Sequence, residues 1–515
     1  MFYLPGKPNK QSGGGNMNKK YVMAIDQGTT GTRVILFNHD GEIHSMAYRE
    51  IKQIYPNPGW VEHDPDDIWQ TVLQCAEEAC KQGGAKPEEI AAIGITNQRE
   101  STILWEKDTG RPIYNSICWQ CRRSANTCDD LKRKGYENSI TKKTGLVVDA
   151  YFSATKIMWI MDNVEGVRSK IENRNICMGN IDSWIIWNLS KGRYHVTDYS
   201  NASRTLLLNI HTLSWDEEIL AWTGIPEHIL PELKPSSGVM AETDPEIFFG
   251  ATVPIAGSAG DQHAATFGQT CFKPGMAKNT YGTALALMMN IGEHPVPSKH
   301  GLTTDLAWKI GDKVEYALEG VIFIGGAAIQ WLRDGLKIIS SSAECSELAE
   351  KVPDTGGVYL VPAFTGICAP YWDMYARGTI VGITRGTTRE HIARSAMESI
   401  AYQTMDVLDA MEADSGKKAQ SLRVDGGATK SDFLMQFQAD ILGIEVERPV
   451  ITEMAALGAC YLAGLGVGFW KSKDEIARQW KIEKVFQPNM DENKREELYA
   501  DWKRAVERSF KWAKP

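Results

Sequence analysis

The sequence predicts an α/β protein made of two similar halves with a cleft between them. Three observations carry that prediction. Residues 20–38 (KYVMAIDQGTTGTRVILFN) and 278–290 (KNTYGTALALMMN) each run from an apolar strand through a Gly-Thr turn into a second β-rich strand. At 515 residues the chain is too long for one hydrophobic core, so two large domains are the natural division. Near the midpoint, residues 255–269 (IAGSAGDQHAATFGQ) read as an apolar strand end, a Gly/Ser/Ala turn, and Asp261-Gln262 at the start of a small-residue helix. A carboxylate at such a junction sits where a parallel sheet opens into a crevice. A cleft between halves is also the default place for chemistry.

In chain order, residues 1–17 are polar and Gly-rich, and Met17 reads as a second start. They are taken as a disordered or artificially added leader and set aside. An N-terminal domain is expected over 18–269 and a C-terminal domain over 270–515. The strand at 21–25 ends in Asp26, and the Gln-Gly-Thr-Thr-Gly turn after it carries hydroxyls and amides suited to phosphate. Taken alone, this stretch reads equally well as an ordinary hairpin. The matching Gly28-Thr29 and Gly282-Thr283 turns together favour a nucleotide clamp with one phosphate hairpin from each half.

Asp64-Pro65 start a helix as N-cap and first residue, and Gly83-Gly84 end it. Its apolar face is Ile68, Trp69, Val72, Ala76, Ala79 and Cys80. The strand 90–96 delivers Asn97-Gln98-Arg99-Glu100. An Arg-Glu pair at a strand end can hydrogen-bond vicinal hydroxyls, although a surface ion pair fits that stretch as well. Trp119 and Arg122-Arg123 follow, then a helix over 151–163 with Ile157, Ile160 and Met161 on one face.

In the second half, residues 325–330 (GGAAIQ) make a small-residue helix start where a ligand can approach the backbone. Val424-Asp425-Gly426-Gly427 ends a strand at a turn whose amides suit a phosphate or ribose, or form a plain βα turn. The uncharged run 454–470 has 17 residues and four glycines, too short for a membrane span and suited to a buried helix.

Bulk properties narrow the class. A net charge of 56 − 65 = −9 argues against an extended nucleic-acid surface. Ten scattered cysteines, several inside helical patterns (Cys75, Cys80, Cys460), indicate a reducing compartment and a cytoplasmic location. Cys118-x-x-Cys121 has no second C-x-x-C to complete a zinc site. No G-x-x-x-x-G-K-[ST], H-R-D or D-F-G is present, so a phosphoryl transferase here is of neither the P-loop nor the protein-kinase type.

Taken together, DQGTTGTR (26–33), NQRE (97–100), WQCRR (119–123), TDYSNASRTLL (197–207), AGDQ (259–262), GAAIQWLRD (326–334) and RVDGG (423–427) resemble the FGGY carbohydrate kinases. The likeness runs from about residue 19 to the C-terminus, and the Arg-Glu of NQRE separates the glycerol-phosphorylating members from those acting on xylulose, gluconate or ribulose.

The resemblance implies two ribonuclease-H-like, actin-type ATPase domains hinged about the cleft, with ATP and Mg²⁺ as cofactors. It implies glycerol as acceptor, held by Arg99, Glu100, Tyr151, Asp261 and Gln262, with Trp119 against the carbon chain. It implies nucleotide contacts from Thr29, Thr30, Arg33, Thr283, Gly326, Gln330, Gly427 and Ser431, and a magnesium shell organised by Asp26 with Asp261. Asp261 is then the general base. A homodimer or homotetramer is the family's common state.

Several positions depart from the family pattern. Ala150 replaces a Pro, Ala284 a Gly, and Ser431 an Asn near adenine. Ala286 falls where many glycerol-specific members place a Phe against the substrate. Residues 244–250 (DPEIFFG) lack the basic loop that binds fructose bisphosphate in some relatives. Ile247 stands where others carry the His phosphorylated by a phosphocarrier protein. Neither control site is expected. Two further readings remain: a kinase for a larger polyol or ketose, and an actin-like nucleotide-binding protein without catalysis.

Overall fold

The computed structural model describes residues 19–514; the leader assigned to 1–17 lies outside them. Thirteen strands form one sheet. In chain order they are β1 (Tyr21–Gln27), β2 (Gly31–Phe37), β3 (Ile43–Glu50), β4 (Ile90–Asn97), β5 (Ser237–Glu242), β6 (Pro254–Gly260) and β7 (Ala277–Tyr281). Then come β8 (Leu285–Gly292), β9 (Thr303–Ile310), β10 (Lys313–Ile322), β11 (Ser421–Asp425), β12 (Glu445–Pro449) and β13 (Ile482–Phe486). Across the sheet the order is β13-β12-β11-β7-β8-β10-β9-β5-β6-β4-β1-β2-β3.

Two copies of one five-strand pattern sit inside that order. β3-β2-β1 is an antiparallel meander, to which β4 and then β6 add in parallel. β10-β8-β7 followed by β11 and β12 repeats it strand for strand. The halves join through a single pairing of β5 with β9, Ser237 opposite Ile310. The duplication expected from two Gly-Thr hairpins therefore extends to both half-sheets. The second hairpin is one residue tighter: Gln27 pairs with Thr32, whereas Tyr281 pairs with Leu285.

The helices that position the site are α1 (Pro65–Gly83), α2 (Ser153–Asn163), α3 (Tyr199–Ser203), α4 (Asp261–Gly268), α5 (Gly326–Gln330), α6 (Asp432–Leu442) and α7 (Met454–Val467). The α1 ends are as expected: the Asp64 side chain accepts from the Asp66 amide, and Gly84 closes the helix at φ 59°. It buries Ile68, Val72, Ala76, Ala79 and Cys80, while Trp69 is only half-buried.

α4 follows β6 of the first half yet touches β7 and β8 of the second; α7 follows β12 of the second half and lies on β1, β4 and β6 of the first. Apolar on every side, α7 is buried as such helices are. Glycines let it come that close. A Cβ on Gly458 would stand 1.7 Å from the Ala264 carbonyl, and one on Gly94 of β4 would stand 2.1 Å from that of Ala459. The resulting core (Val22, Ala24, Phe267, Met288, Leu457, Tyr461) belongs to both halves. All ten cysteines are buried thiols. No described helix is long and apolar enough to cross a membrane.

Candidate active site

Two strands of the first half, β4 and β6, end side by side, with Asn97 opposite Gly260. β4 stops at Asn97, whose side-chain amide donates to Asn201 Oδ1 (3.0 Å), and Gln98 is fixed by its backbone donating to the Gln27 carbonyl (2.7 Å). The chain then turns sharply: Glu100 has φ 59°, a left-handed conformation that costs a non-glycine residue about 1–2 kcal/mol. The Thr102 and Ser153 hydroxyls hold it there by donating to its carbonyl at 2.9 and 3.2 Å. β6 delivers Asp261 differently from the expectation. No turn intervenes; Gly257, Ser258 and Ala259 pair with β4 as strand, and α4 begins at Asp261 itself. The small residues serve packing instead, since a Cβ on Gly257 would stand 2.4 Å from the Ala463 nitrogen.

Gly260 sets the central contact. A Cβ there would lie 2.5 Å from Cγ and Cδ of Arg99, so the arginine stem lies flat on it. That brings Arg99 Nε to 3.1 Å from Asp261 Oδ1. Arg99 Nη2 donates to Glu319 Oε1 at 2.6 Å, and Nη1 is buried without a partner among the described residues. Arg204, just past α3, donates from Nε to Glu100 Oε1 (2.6 Å) and from Nη1 to Asp305 Oδ1 (2.8 Å). Arg204 Nη1 is also 2.7 Å from Glu319 Oε2.

Arg99, Glu100, Arg204, Asp305 and Glu319 are at most 4 % exposed. Burial works to raise the Glu319 carboxyl, but Arg204 and Arg99 overcome it and hold it down to about 2. Burial raises Glu100 and Asp305 against the same arginines.

Around this cluster, Trp119 donates from Nε1 to Thr29 Oγ1 (2.9 Å) and packs edge-on against Tyr151, ring centroids 5.5 Å apart. Gln262 donates from Nε2 to Asp261 Oδ2 (3.3 Å), and its side-chain Oε1 accepts a short hydrogen bond from buried Lys278. Burial lowers Lys278, opposed by Asp425, Glu319 and Asp261. His263 is fully buried with neither ring nitrogen bonded to any of the described residues; burial, then Arg99, pushes it well below the usual histidine range. Asp26 is pushed up to about 7 by burial, with Arg33 opposing and Asp261 and Glu453 adding to the shift.

The opposite side is more open. Thr30, Thr283 and Gln330 are exposed, and Thr29 and Gly326 half-buried. The expected grip is narrower than the turns suggest, because the Gly28 and Gly282 amides donate to Gly31 and Ala284 within their own turns. The Gly325 and Gly326 amides at the head of α5 donate to Thr283 and Gly282. Arg33 forms a short ion pair with Glu453 at the head of α7. Ser431 caps α6, accepting from the Leu434 amide (3.2 Å), and shares a 2.9 Å hydrogen bond with Ser346. At the next turn, Gly426 is the residue that requires glycine: its φ is 92°, and a Cβ would stand 2.6 Å from the Tyr281 carbonyl. Gly427 has open space around it.

Ala286 lies on the same face of β8 as Met288, whose register partners on β7 and β10 are Lys278 and Glu319. The alternation expected from period 2 holds, with Leu285 and Leu287 in the core on the other face.

Sequence reasoning missed Arg204, Asp305, Glu319, Lys278 and His263. A signal existed for Glu319, a carboxylate in the middle of the apolar strand YALEGVI, where a lone charge needs a buried partner.

Residues 21–268 match the FGGY family of carbohydrate kinases, N-terminal domain, and residues 277–467 match its C-terminal domain. A glycerol kinase of Caldanaerobacter subterraneus subsp. tengcongensis is 63% identical over 96% of this chain and 99% of the relative. Glycerol kinase 2 of Thermotoga maritima is 61% identical over 96% and 100%. Among solved structures, Plasmodium falciparum glycerol kinase with ADP superposes with a TM-score of 0.89 at 38% identity, covering 96% of this chain and 99% of that one. With both halves matched and identities this high over nearly the whole length, the chain belongs to the FGGY family of carbohydrate kinases.

Proposed function

We propose that this protein phosphorylates glycerol at a terminal hydroxyl with ATP, yielding sn-glycerol 3-phosphate. The observation that carries the reading is the Arg99–Glu100 pair, buried and rigidly held, with Arg99 Nε 3.1 Å from Asp261. A neighbouring donor and acceptor match two vicinal hydroxyls, and the unpartnered Arg99 Nη1 needs an acceptor that a polyol oxygen supplies. Trp119 and Tyr151 cover the carbon chain. Relatives named for glycerol at 61–63% identity support the same acceptor.

Phosphoryl transfer depends on positioning and charge neutralisation more than on covalent help. Asp261 takes the proton of the attacking hydroxyl, and Gln262, held by Lys278, orients its carboxylate. The threonines Thr29, Thr30 and Thr283, with Gly326, Gln330, Gly427 and Ser431, meet the nucleotide. Arg33 reaches the phosphates by leaving Glu453. Asp26 and Asp261 fit Mg²⁺: buried Asp26, whose carboxyl the Asp261 charge helps to push up, forms with Asp261 an oxygen-donor pair short of positive charge. When bound, the ion neutralises and orients the transferring phosphates. Closure of the halves excludes water as a competing acceptor.

Control by fructose bisphosphate is not proposed. Lys191 and Arg193, which reach this segment, already face Glu246 and Asp244. The test is ADP release across a polyol panel. Turnover with glycerol well above that with erythritol, xylitol or ribulose is expected. A preference for a longer acceptor overturns the assignment, and nucleotide binding without turnover on any acceptor leaves the non-catalytic reading.

A further inference from the structure

Five charged side chains buried at one place are not a device for stability. Burying ions costs several kcal/mol each, and apolar replacements of similar volume are often neutral or better. Two of the five, Arg99 and Glu100, are the polyol grip. Arg204, Asp305 and Glu319 lie behind them, and the latter two belong to the other half.

We propose that Glu319 and Asp305 are positioning residues for the acceptor: Glu319 aims Arg99 directly, and both carboxylates hold Arg204, which in turn orients Glu100. The inference rests on the polyol reading above and adds a dependence of that pocket on both halves.

The geometry supports each link. A guanidinium is a planar fork, so fixing two of its nitrogens fixes the third. With Nε on Asp261 and Nη2 on Glu319, the free Nη1 of Arg99 has one direction left. The Glu100 carboxylate takes its strongest contact from Arg204 Nε, and the other arm of that fork ends on Asp305 and Glu319. The two carboxylates are themselves fixed by strand register. Thr303 pairs with Glu319, and Asp305 follows two residues along β9, which places both acids on one face. That hairpin is stitched to the first half: the Thr304 amide donates to Gly145 (3.0 Å), Tyr316 Oη to Ile210 (2.7 Å) and the Ser236 amide to Lys309 (2.8 Å). The arginines therefore lean on a part of the second half that is anchored to the first.

The test uses the full chain with Glu319→Gln, Glu319→Asp and Asp305→Asn. It reads KM for glycerol and for ATP, kcat, glycerol affinity by calorimetry, and thermal midpoint. Glu319→Gln is expected to raise the glycerol KM roughly tenfold to a hundredfold while the ATP KM moves less than about twofold. Glu319→Asp, which keeps the charge, recovers part of the loss. Asp305→Asn, one link further away, raises the glycerol KM by about threefold to tenfold.

A glycerol KM within about twofold of the parent in folded variants overturns the proposal, as does a rise shared equally by glycerol and ATP along with a lowered midpoint. Should Glu319→Gln fail to fold, Glu319→Asp and Asp305→Asn decide by the same split. The parent enzyme separates the two readings. If it prefers another polyol, glycerol as substrate falls and the split is read on that polyol; if it accepts none, both readings fall.

Discussion

The two ends of the cleft are made differently. At the end we propose for the acceptor, Arg99, Glu100 and Arg204 are buried, each ion-paired, and carried by strand and helix ends with little freedom. At the end proposed for the nucleotide, Thr30, Thr283 and Gln330 stand exposed on hairpin tips and a short helix, and Arg33 is paired with Glu453. A small uncharged acceptor brings little binding energy, so the protein must hold the matching groups in place beforehand. A nucleotide triphosphate brings its own charges and can order loosely held groups as it binds. Substitutions at the acceptor end should therefore cost more than substitutions at the nucleotide end.

The largest effect is expected where the two ends meet. Asp261→Asn removes the proposed proton acceptor while keeping its shape, and loss of a general base typically costs about 10²–10⁴-fold in rate. ATP affinity should survive. Turnover near the parent's would remove Asp261 from the role of base and weaken the contrast at its centre.

Arg99→Ala comes next. It leaves Glu319 buried without its 2.6 Å donor and the acceptor without a charged partner. Glycerol affinity should fall by about 2–3 kcal/mol with ATP affinity little changed. Calorimetry that finds glycerol binding intact would take Arg99 out of the pocket.

How much of this contrast was legible beforehand follows from range along the chain. The hairpins at Gly28-Thr29 and Gly282-Thr283, the cap at Asp64 and the strand that ends in Arg99-Glu100 announce themselves within a few residues. Gly and Thr punctuate strands locally, and a strand end exposes its last side chains. The partners of Arg99 and Arg204 do not. Glu319 lies 220 positions from Arg99, and no periodicity in either stretch links them. The Gly/Ser/Ala run before Asp261 was misread for a related reason. Small residues usually signal a turn, but Gly257 is small because α7, about 200 residues later, packs against its backbone. Of the free amides expected at both hairpin tips, the first of each is lost on a local point, since tight turns spend it on closing themselves.

Ala286→Phe tests whether the acceptor end is as full as its charges suggest. Ala286 shares a face of β8 with Met288, the register partner of both Lys278 and Glu319, and it is 8 % exposed. A ring there should add apolar cover for glycerol and exclude four-carbon polyols, an effect of about 1–2 kcal/mol on their relative kcat/KM. An unchanged preference between glycerol and erythritol would mean the ring does not reach the acceptor.

The smallest effect is expected at Ser431, where two roles compete for one hydroxyl. The nucleotide reading gives it a contact near adenine, yet its Oγ already accepts from the Leu434 amide at the head of α6 and bonds Ser346. Ser431→Ala should lower stability by about 0.5–2 kcal/mol, the usual cost of losing an N-cap. If the cap is its main task, the ATP KM should barely move. Asn caps a helix as well as Ser does, so Ser431→Asn should keep the thermal midpoint while offering a longer side chain to the nucleotide. A gain of about 1 kcal/mol in ATP affinity, the net worth of one hydrogen bond, would make the open end of the cleft improvable by a single group. No gain from Asn together with a raised ATP KM in Ser431→Ala would instead show the serine hydroxyl already engaged with the nucleotide. The nucleotide end would then be more finely set than its exposure suggests.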